Sequence, residues 1–366
     1  MQKDLYRLKD DRGIASPQLI YYEDLIRENT RRAVDIAGGA DRLWPHVKTH
    51  KMAEMITMQR GMGISRFKCA TLSELAMVLQ AGAPHVLLAY PLYGPNIARF
   101  LALKQAYPGS VVYALADARE GLDALSAACV QAGVRIPVLA DVNMGMNRTG
   151  VALDELVDFG RRVAAVRGLV FAGFHAYDGH IGHPDPDERC AATRPALERL
   201  YAARDALMHS SVPVPNVILG GSPTFPCYAK EPSVYLSPGT VFVWDAGYAQ
   251  KCADLPFVPA AALISRVISH PAPGLFTLDL GYKAIASDPK GARGIIPAMQ
   301  DAEPVAQSEE HWVWRVPDGH ARPALGDTVY VLPTHICPTT ALHKQVLVAS
   351  GGAVTGTWRV AARDRY

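Results

Sequence analysis

The sequence predicts an α/β fold, a (β/α)8 barrel of the TIM type followed by an antiparallel β domain. Three observations support this. Between about residues 40 and 250, short apolar runs alternate with helix-like segments. These runs are continuous, as expected for strands that are buried on both faces. After about residue 255, short strands and Gly/Pro turns follow one another without a long helical pattern. Repeated strand–helix alternation implies a parallel sheet with right-handed crossovers, and roughly eight units close into a barrel; a doubly wound open sheet is the alternative.

The individual elements follow from local patterns. Barrel strands are expected at 43–47, 66–70, 86–91, 111–116, 137–142, 169–175 and 216–220, with an eighth near Tyr235 or at 241–245. A capping box, Thr71-Leu-Ser-Glu74, begins one helix, and further helices are expected at 93–104, 117–133, 152–167 and 187–209. Strands of the β domain are expected at 261–269, 275–280, 312–316, 328–332, 345–349 and 354–360, and the extended stretch 17–22 can join them. The expected domains are therefore 15–255 and 256–366, with residues 1–14 packed on the second.

Length and composition fit a two-domain globular protein. The chain has 366 residues, of which 49% are hydrophobic and 20% charged. A net charge of +2 gives no reason to expect nucleic acid or an anionic membrane as a partner. No apolar run approaches the roughly 20 residues that cross a bilayer, and the N-terminus lacks the apolar core of a signal peptide. We therefore expect a cytoplasmic protein.

The six cysteines are scattered and form no Cys-x-x-Cys pair, so no disulfide is expected. Five are expected to behave as small buried hydrophobic residues: Cys69, Cys129, Cys190, Cys227 and Cys252. Cys337 differs because it lies in a motif described below.

Active sites of such barrels lie at the C-terminal ends of the strands. Lys48 directly follows the run 43–47, so its amine can form an imine with an aldehyde or take part in a salt bridge at the rim. Arg148, in a glycine-rich turn after 137–142, can bond a phenolate oxygen or cap carbonyl groups. His175 ends a strand and can lie flat against a pyridine ring or serve a structural role, and Tyr177 follows two residues later.

Two turns are candidate phosphate sites. Leu219-Gly-Gly-Ser-Pro-Thr224 offers backbone N–H groups of Gly221 and the hydroxyls of Ser222 and Thr224, although most such sequences are only turns. Ser237-Pro-Gly-Thr240 offers Gly239 and Thr240 for the same phosphate. Neither a Walker motif nor Gly-x-Gly-x-x-Gly is present, so nucleotides are not favoured.

A candidate metal site lies in the β domain. His335 and Cys337 are expected on one face of an extended segment, and imidazole with thiolate suits Zn²⁺. Two candidate ligands do not define a site by spacing alone. Other polar residues of this domain are interpreted as solvated surface: Asp279, Lys283, Asp288, Glu309, Glu310 and His311.

Taken together, the motifs resemble the fold type III pyridoxal phosphate enzymes, the alanine racemase family, and more narrowly the D-threonine aldolase and D-serine dehydratase branch. Seven motifs occur in family order from about residue 15 to the end: Pro45-His-x-Lys48-Thr-His-Lys51, Met144-Gly-Met-Asn-Arg148-x-Gly150, the strand ending at His175, Gly220-Gly-Ser222-x-Thr224, Pro238-Gly-Thr-x-Phe242-x-x-Asp245, Glu309-Glu-His311 and Pro333-x-His335-x-Cys337-Pro-Thr339.

The resemblance implies a role for each candidate residue. Lys48 would form the Schiff base with pyridoxal 5'-phosphate, Arg148 would bind its phenolic oxygen, and His175 would lie against its ring. Tyr177 would lie near a D-amino acid substrate. The phosphate would be surrounded by Ser222, Thr224, Gly239 and Thr240. The resemblance also implies that His335 and Cys337 bind a divalent metal (Mn²⁺ or Zn²⁺) and that two chains form a head-to-tail homodimer.

One departure from the family pattern leaves the reaction divided. D-threonine aldolases usually have aspartate at the second metal position, in His-x-Asp-Pro-Thr, whereas D-serine dehydratases and their 3-hydroxyaspartate relatives have His-x-Cys. Here Cys337 is followed by Pro-Thr. The sequence favours a metal-dependent lyase for D-β-hydroxy-α-amino acids, with retro-aldol cleavage ahead of dehydration. An amino-acid racemase or a non-catalytic pyridoxal phosphate-binding protein is less favoured.

Overall fold

The computed structural model describes residues 5–365. The strands are β1 Gln18–Tyr22, β2 Arg66–Cys69, β3 His85–Pro91, β4 Val111–Ala116, β5 Ile136–Asn143, β6 Leu169–Tyr177, β7 Asn216–Leu219, β8 Tyr235–Leu236, β9 Ala261–Ser269, β10 Leu275–Leu278, β11 Gly294–Ile295, β12 Glu303–Gln307, β13 Trp312–Arg315, β14 Thr328–Pro333, β15 Gln345–Ser350 and β16 Ala353–Arg359. The helices are α1 Glu23–Ala37, α2 Ala53–Gly61, α3 Leu72–Gln80, α4 Pro95–Ala106, α5 Arg119–Ala132, α6 Leu156–Ala165, α7 Pro186–His209, α8 Ala246–Lys251 and α9 Ile336–Leu342.

The first sheet is a closed parallel barrel. Strands β2 to β8 pair in sequence order, all parallel. The two edges are joined by the stretch predicted as the first strand: Leu43 bridges to Leu236 of β8, and His46 bridges to Lys68 of β2. This stretch makes isolated bridges and is not a regular strand. The closure confirms the predicted barrel and excludes the doubly wound alternative, because an open sheet would leave both edges unpaired.

The eighth strand lies at Tyr235–Leu236, the first of the two predicted positions. The second position, 241–245, overlaps the 3₁₀ turn Thr240–Phe242. Inside the barrel, Trp44 packs with Leu87, Leu139 and other buried side chains, and its indole N–H donates to the Phe67 carbonyl at 2.6 Å. The barrel is therefore filled by side chains, as expected for eight strands.

One glycine of the barrel wall permits a close contact between strands. Gly173 of β6 has φ +112°, and a Cβ built there would lie 1.9 Å from the Asn216 carbonyl oxygen of β7. Only glycine avoids both the strained backbone and this clash.

Among the described residues, the second sheet has nine strands, in the order β12-β13-β10-β9-β1-β15-β16, with β14 pairing β9 and β11. Neighbouring strands are antiparallel except β1 and β15, which are parallel, so the sheet is mixed and not purely antiparallel as predicted. The stretch 17–22 joins it as the central strand β1. Tyr6 and Leu8 lie in the core on this sheet with Ile20 and Ile264. Residues 1–4 of the predicted N-terminal segment lie outside the described residues.

The described residues form two compact units, and neither unit is a single continuous segment of the chain. One unit comprises the residues up to Arg32, Thr49–Met52 and Thr240–Arg363. The other comprises Ala33–Lys48, Ala53–Gly239 and the residues from Asp364. Segments before and after the barrel therefore belong with the C-terminal strands, because β1 pairs with β9 and β15.

The longest described helix, α7, begins at the N-cap Asp185, whose carboxylate accepts the N–H groups of Asp187 and Glu188. It contains a proline, Pro195, and charged residues along its length. Across residues 5–365, no helix combines the length and apolar character needed to span a bilayer.

Two cysteines contradict the expectation that five would be small buried hydrophobic residues. Cys190 of α7 and Cys227 form a disulfide with a Cα–Cα distance of 5.1 Å and a sequence separation of 37. The 3₁₀ turn Phe225–Tyr228 brings Cys227 beside α7, a proximity that sequence spacing does not reveal. Cys69, Cys129 and Cys252 are buried thiols, as predicted.

Candidate active site

Lys48 lies at the C-terminal end of the stretch that closes the barrel. It falls in the 3₁₀ turn Val47–Thr49, is half-buried, and its backbone N–H donates to His46 Nδ1 at 3.3 Å. Its Nζ lies 6.0 Å from the centre of the Tyr177 ring. The amine is thus directed to the mouth of the barrel, where the strand β6 ends.

Three cationic groups surround the Tyr177 ring. Besides Lys48, the Arg148 Cζ lies 5.0 Å from the ring centre and the Lys68 Nζ lies 5.8 Å from it. A Cβ at Gly221 would lie 2.9 Å from Tyr177 Cε2, so the absence of a side chain there allows the ring to rest on the backbone. Four residues singled out from the sequence therefore lie close together, although each comes from a different barrel segment: Lys48, Arg148, Tyr177 and Gly221.

His175 is held through both ring nitrogens. Its Nδ1 is hydrogen-bonded to Asp141 Oδ1 at 2.8 Å and its Nε2 to Lys68 Nζ at 3.2 Å. Thr149 donates to the other Asp141 oxygen at 2.7 Å. Burial opposes ionisation of Asp141, but the hydrogen bonds from His175 and Thr149 and the charge of Lys68 outweigh it and lower the pKa of this carboxyl. Burial, and then the charge of Lys68, lower the pKa of His175, so the imidazole is neutral at pH 7.

Lys68 was missed by the sequence analysis. Its side chain is only 2% exposed, and burial followed by the charge of Lys48 lowers its pKa from 10.5 to about 7, against the opposite effect of Asp141 and Asp178. The available signal was a lysine between Phe67 and Cys69 inside a strand expected to be buried on both faces. Lysine is almost never fully buried without partners, so this position was a candidate for function.

The turn after β7 is stabilised by a buried carboxylate. Asp178 accepts hydrogen bonds from the hydroxyls of Thr224 and Tyr228, both at 2.7 Å, and Thr224 Oγ1 accepts the Gly221 N–H at 3.0 Å. Burial raises the pKa of Asp178 in spite of these hydrogen bonds. Thr224 therefore donates its hydroxyl hydrogen to Asp178. In the structure, Thr224 stabilises the turn.

The other predicted phosphate residues occupy two places. Ser222 Oγ accepts the Gly239 N–H at 3.2 Å, which brings the turns after β7 and β8 together at the barrel mouth. Thr240 belongs to the other compact unit, where its hydroxyl lies 3.6 Å from Cys337 Sγ.

The segment with His335 and Cys337 is helical, so the prediction of an extended segment was wrong. His335 is the N-cap of α9, and Cys337 lies in its first turn. Asp245 supports the start of this helix: its Oδ2 accepts the Ile336 N–H at 3.1 Å, while its Oδ1 caps α8 through the Tyr248 N–H at 2.9 Å. This cap lies 91 residues away along the chain, so no local pattern indicates it.

The two candidate metal ligands nevertheless lie close together. His335 is hydrogen-bonded to Cys337 through the side chains, and its Nδ1 is hydrogen-bonded to Asp288. Burial would lower the pKa of His335, but Cys337 and then Asp288 raise it to about 9. Cys337 Sγ also donates to Thr49 Oγ1 at 3.3 Å. Residues 5–365 contain no group of three or more His, Cys, Asp or Glu side chains that could hold a metal ion.

The remaining polar residues agree only in part with their interpretation as solvated surface, since Asp288 bonds to His335 and Asp279 is partly buried. Lys283 makes exposed ion pairs with Glu309 and Glu310, which place this cluster on the surface. Asp279 accepts hydrogen bonds from Ser265 and from the Arg266 backbone and is a structural residue of the second sheet.

Comparisons with known proteins match this architecture. Residues 23–245 match the family described as alanine racemase, N-terminal domain, and residues 260–349 match the putative serine dehydratase domain. A D-threonine aldolase from Arthrobacter sp. is 30% identical over 88% of this chain and 85% of its own length. A crystal structure of D-threonine aldolase from Filomicrobium marinum superposes with a TM-score of 0.88 at 29% identity, covering 96% of both chains. A D-threo-3-hydroxyaspartate dehydratase from Delftia sp. is 26% identical over 86% of this chain and 89% of its own length.

The chain belongs to the fold type III pyridoxal phosphate enzymes of the D-threonine aldolase and D-serine dehydratase family. The predicted family, the alanine racemase-like barrel and a lyase of the D-threonine aldolase type are thereby confirmed.

The barrel mouth of this family member fits the cofactor of the family. Pyridoxal phosphate carries a phosphate and a phenolate, and the amines of Lys48 and Lys68 and the guanidinium of Arg148 gather around one ring. The buried carboxylates nearby, Asp141 and Asp178, are each engaged by two hydrogen bonds. The mouth thus has a cationic donor set that suits an anionic aldehyde.

Proposed function

We propose that this protein is a pyridoxal phosphate- and divalent metal-dependent lyase that cleaves D-β-hydroxy-α-amino acids into glycine and an aldehyde. The observation that carries the proposal is the convergence of Lys48, Arg148 and Lys68 on one ring at the barrel mouth, with neutral His175 fixed nearby. The similarity to D-threonine aldolases over most of the chain supports retro-aldol cleavage as the reaction.

The residues of the barrel have separate roles in this proposal. When bound, pyridoxal phosphate supplies an electron sink for charge that develops at Cα of the amino acid. Lys48 would hold the cofactor covalently through its amine and would release it to the amine of the substrate. Arg148 neutralises the phenolic oxygen, and His175 supports the ring as a neutral imidazole whose Nδ1 hydrogen is donated to Asp141. Tyr177 orients the substrate.

The phosphate is proposed to bind at the turns after β7 and β8. The N–H groups of Gly221 and Gly239 are donated to Thr224 and Ser222 within these turns, and Ser222 thereby joins the two turns at the proposed site. Thr224 stabilises the turn through the hydrogen bond that its hydroxyl donates to Asp178. Thr240 remains a prediction from its motif.

His335 and Cys337 are proposed to hold a divalent metal, Mn²⁺ or Zn²⁺. An imidazole and a thiolate form a suitable pair, and the hydrogen bond from His335 Nδ1 to Asp288 leaves Nε2 as the ligand atom. Water or substrate oxygens complete the ligand set. The metal supplies Lewis acidity, which lowers the pKa of a hydroxyl group bound to it.

Elimination of water from D-serine or D-3-hydroxyaspartate, with release of a 2-oxo acid and ammonia, is the second candidate. Cys337 favours it, as do the match to the putative serine dehydratase domain and the similarity to the Delftia dehydratase. In that reaction Lys48 also removes the Cα proton. A racemase is disfavoured because the metal pair would have no purpose, and a non-catalytic cofactor-binding protein is disfavoured by the second domain.

We further propose that the protein acts as a homodimer in the cytoplasm on small-molecule D-amino acids, without nucleic acid or membrane partners.

The test is product analysis after incubation with D-threonine, pyridoxal phosphate and Mn²⁺ or Zn²⁺. Glycine with acetaldehyde supports the aldolase, whereas 2-oxobutanoate with ammonia establishes the dehydratase. L-Threonine or an allo isomer would indicate a racemase. No turnover with any of a panel of D-β-hydroxy amino acids would refute the lyase. Lys48→Ala is the control: it should remove both turnover and the visible absorbance of the lysine-bound cofactor.

A further inference from the structure

Lys68 contributes positive charge to the barrel mouth, but that alone does not explain why its amine is buried. Lys68 lies in β2, and its amine is buried. The backbone of Lys68 forms the bridge with His46 that helps to close the barrel. Burying an ammonium group is unfavourable unless specific partners compensate for the lost hydration. Methionine or leucine would fill the same space without this penalty, so the amine requires a functional explanation.

The contacts of Lys68 point to His175. The Nζ–Nε2 distance is 3.2 Å, and both groups are buried. The charged and titratable groups that influence this amine come from the surrounding barrel segments: Lys48, Asp141, Arg148, His175 and Asp178. Two of them are cations that disfavour the ammonium form, and two are carboxylates that favour it.

Hydrogen-bond accounting fixes the tautomer of His175. The Asp141 carboxylate is ionised, so it can only accept, and the hydrogen between it and His175 must be on Nδ1. The neutral imidazole then has a lone pair on Nε2, which accepts an N–H from Lys68. The ring is consequently fixed at both nitrogens, by a carboxylate on one side and an amine on the other.

We propose that Lys68 is a positioning residue of the lyase reaction: it donates to His175 Nε2 and so keeps the imidazole neutral and fixed in orientation against the cofactor ring. This proposal rests on the proposed function and deepens it. Without Lys68, Nε2 loses its donor and a neighbouring positive charge, and the ionised Asp141 then favours the imidazolium. A ring with a different charge and freer rotation would no longer support the cofactor in the same way.

The direct test is ¹⁵N NMR of the full-length holoprotein labelled at histidine. We expect wild-type His175 to give one protonated nitrogen and one hydrogen-bonded acceptor nitrogen. In Lys68→Met the acceptor signal should shift to that of a nitrogen without a donor, and the titration midpoint of His175 should rise. Lys68→Gln restores a donor without the charge, so it should recover part of the acceptor shift. The matched control is Lys230→Met, at an exposed lysine of the same unit.

Kinetics with D-threonine provide the second readout. Lys68→Met should lower kcat by about 10- to 100-fold, as expected for loss of a buried charge-assisted hydrogen bond, with KM changed by less than about threefold. Unchanged His175 signals in both Lys68 variants would overturn the contact, and an unchanged kcat in Lys68→Met would overturn its role. If wild-type protein cleaves no D-β-hydroxy amino acid, the proposed function fails and with it the role of Lys68, whereas the NMR result still decides the contact.

Discussion

Replacing Lys68 with methionine should stabilise the protein at neutral pH while it impairs the reaction. In the folded state the amine has a pKa of about 7, compared with its ordinary value of 10.5. Between these two values the unfolded chain binds a proton that the folded chain does not. The free energy of unfolding of the wild type therefore rises with pH across this window and is lowest, for this group, below pH 7.

The size of the effect follows from the two pKa values. The interval from about 7 to 10.5 corresponds to at most about 5 kcal/mol, at about 1.36 kcal/mol per pH unit. Because the folded amine is already half-deprotonated at pH 7, the wild type should gain about 2 kcal/mol between pH 7 and 9 relative to Lys68→Met, which has no titrating group at this position. The variant should be the more stable protein at pH 7, by a margin that shrinks towards pH 9.

Urea unfolding of both proteins at pH 7, 8 and 9 measures this difference directly. Taking the difference between the two proteins removes the titration of groups that Lys68 does not influence. The titration of His175, which the substitution is expected to change, is followed separately by NMR. Lys230→Met serves as the control and should run parallel to the wild type at all three pH values. A stability difference between wild type and Lys68→Met that does not change with pH would refute the reasoning, since it would mean that Lys68 titrates normally in the folded protein.

Three further substitutions test other parts of the barrel unit. Cys190→Ser or Cys227→Ser opens a loop with a sequence separation of 37, which should lower the free energy of unfolding by about 4 kcal/mol in oxidising buffer. Adding a reductant should remove the difference between variant and wild type. An equal loss of stability in both buffers would contradict the disulfide. Gly221→Ala places a Cβ 2.9 Å from Tyr177 and should weaken cofactor binding by roughly tenfold or more, measured by fluorescence titration; unaltered affinity would show that the ring moves freely. Asp178→Asn offers only one acceptor for two hydroxyl donors and should lower the free energy of unfolding by about 1–3 kcal/mol, which thermal denaturation can detect; no loss would mean that the carboxylate is not required.

The barrel was predictable because each strand is a continuous apolar run bounded by turn signals. Strand β4, for example, was predicted at the bounds it has in the structure. The stretch 43–47 was predicted as a regular strand but makes only two isolated bridges. Apolar composition does not distinguish these two cases. Likewise, parallel pairing of β1 with β15 depends on contacts between segments more than 300 residues apart.

The candidate site was less predictable, because its decisive interactions are tertiary. Sequence motifs pointed to Lys48, Arg148, His175 and Tyr177, which the fold brings to one end of the barrel. They did not indicate the partners that set the behaviour of these residues, such as the amine that bonds His175 or the distant carboxylate of Asp245 that supports the start of the helix after His335. Local patterns report which residues are present, whereas protonation and orientation depend on neighbours that only the fold supplies.

The closing stretch of the barrel also has a consequence for its dynamics. The seam consists of a few hydrogen bonds, from Trp44 N–H to Leu236, from His46 N–H to Pro238 and from Lys68 N–H to Pro45. A seam with so few bonds is where local opening of the barrel requires the least free energy. Lys48 lies directly after the seam, so a cofactor attached to that lysine would hold the seam closed and raise the free energy of local opening. Amide hydrogen exchange at Trp44 and Lys68 should then slow down when the cofactor is loaded, while exchange in the middle of β5 should not change.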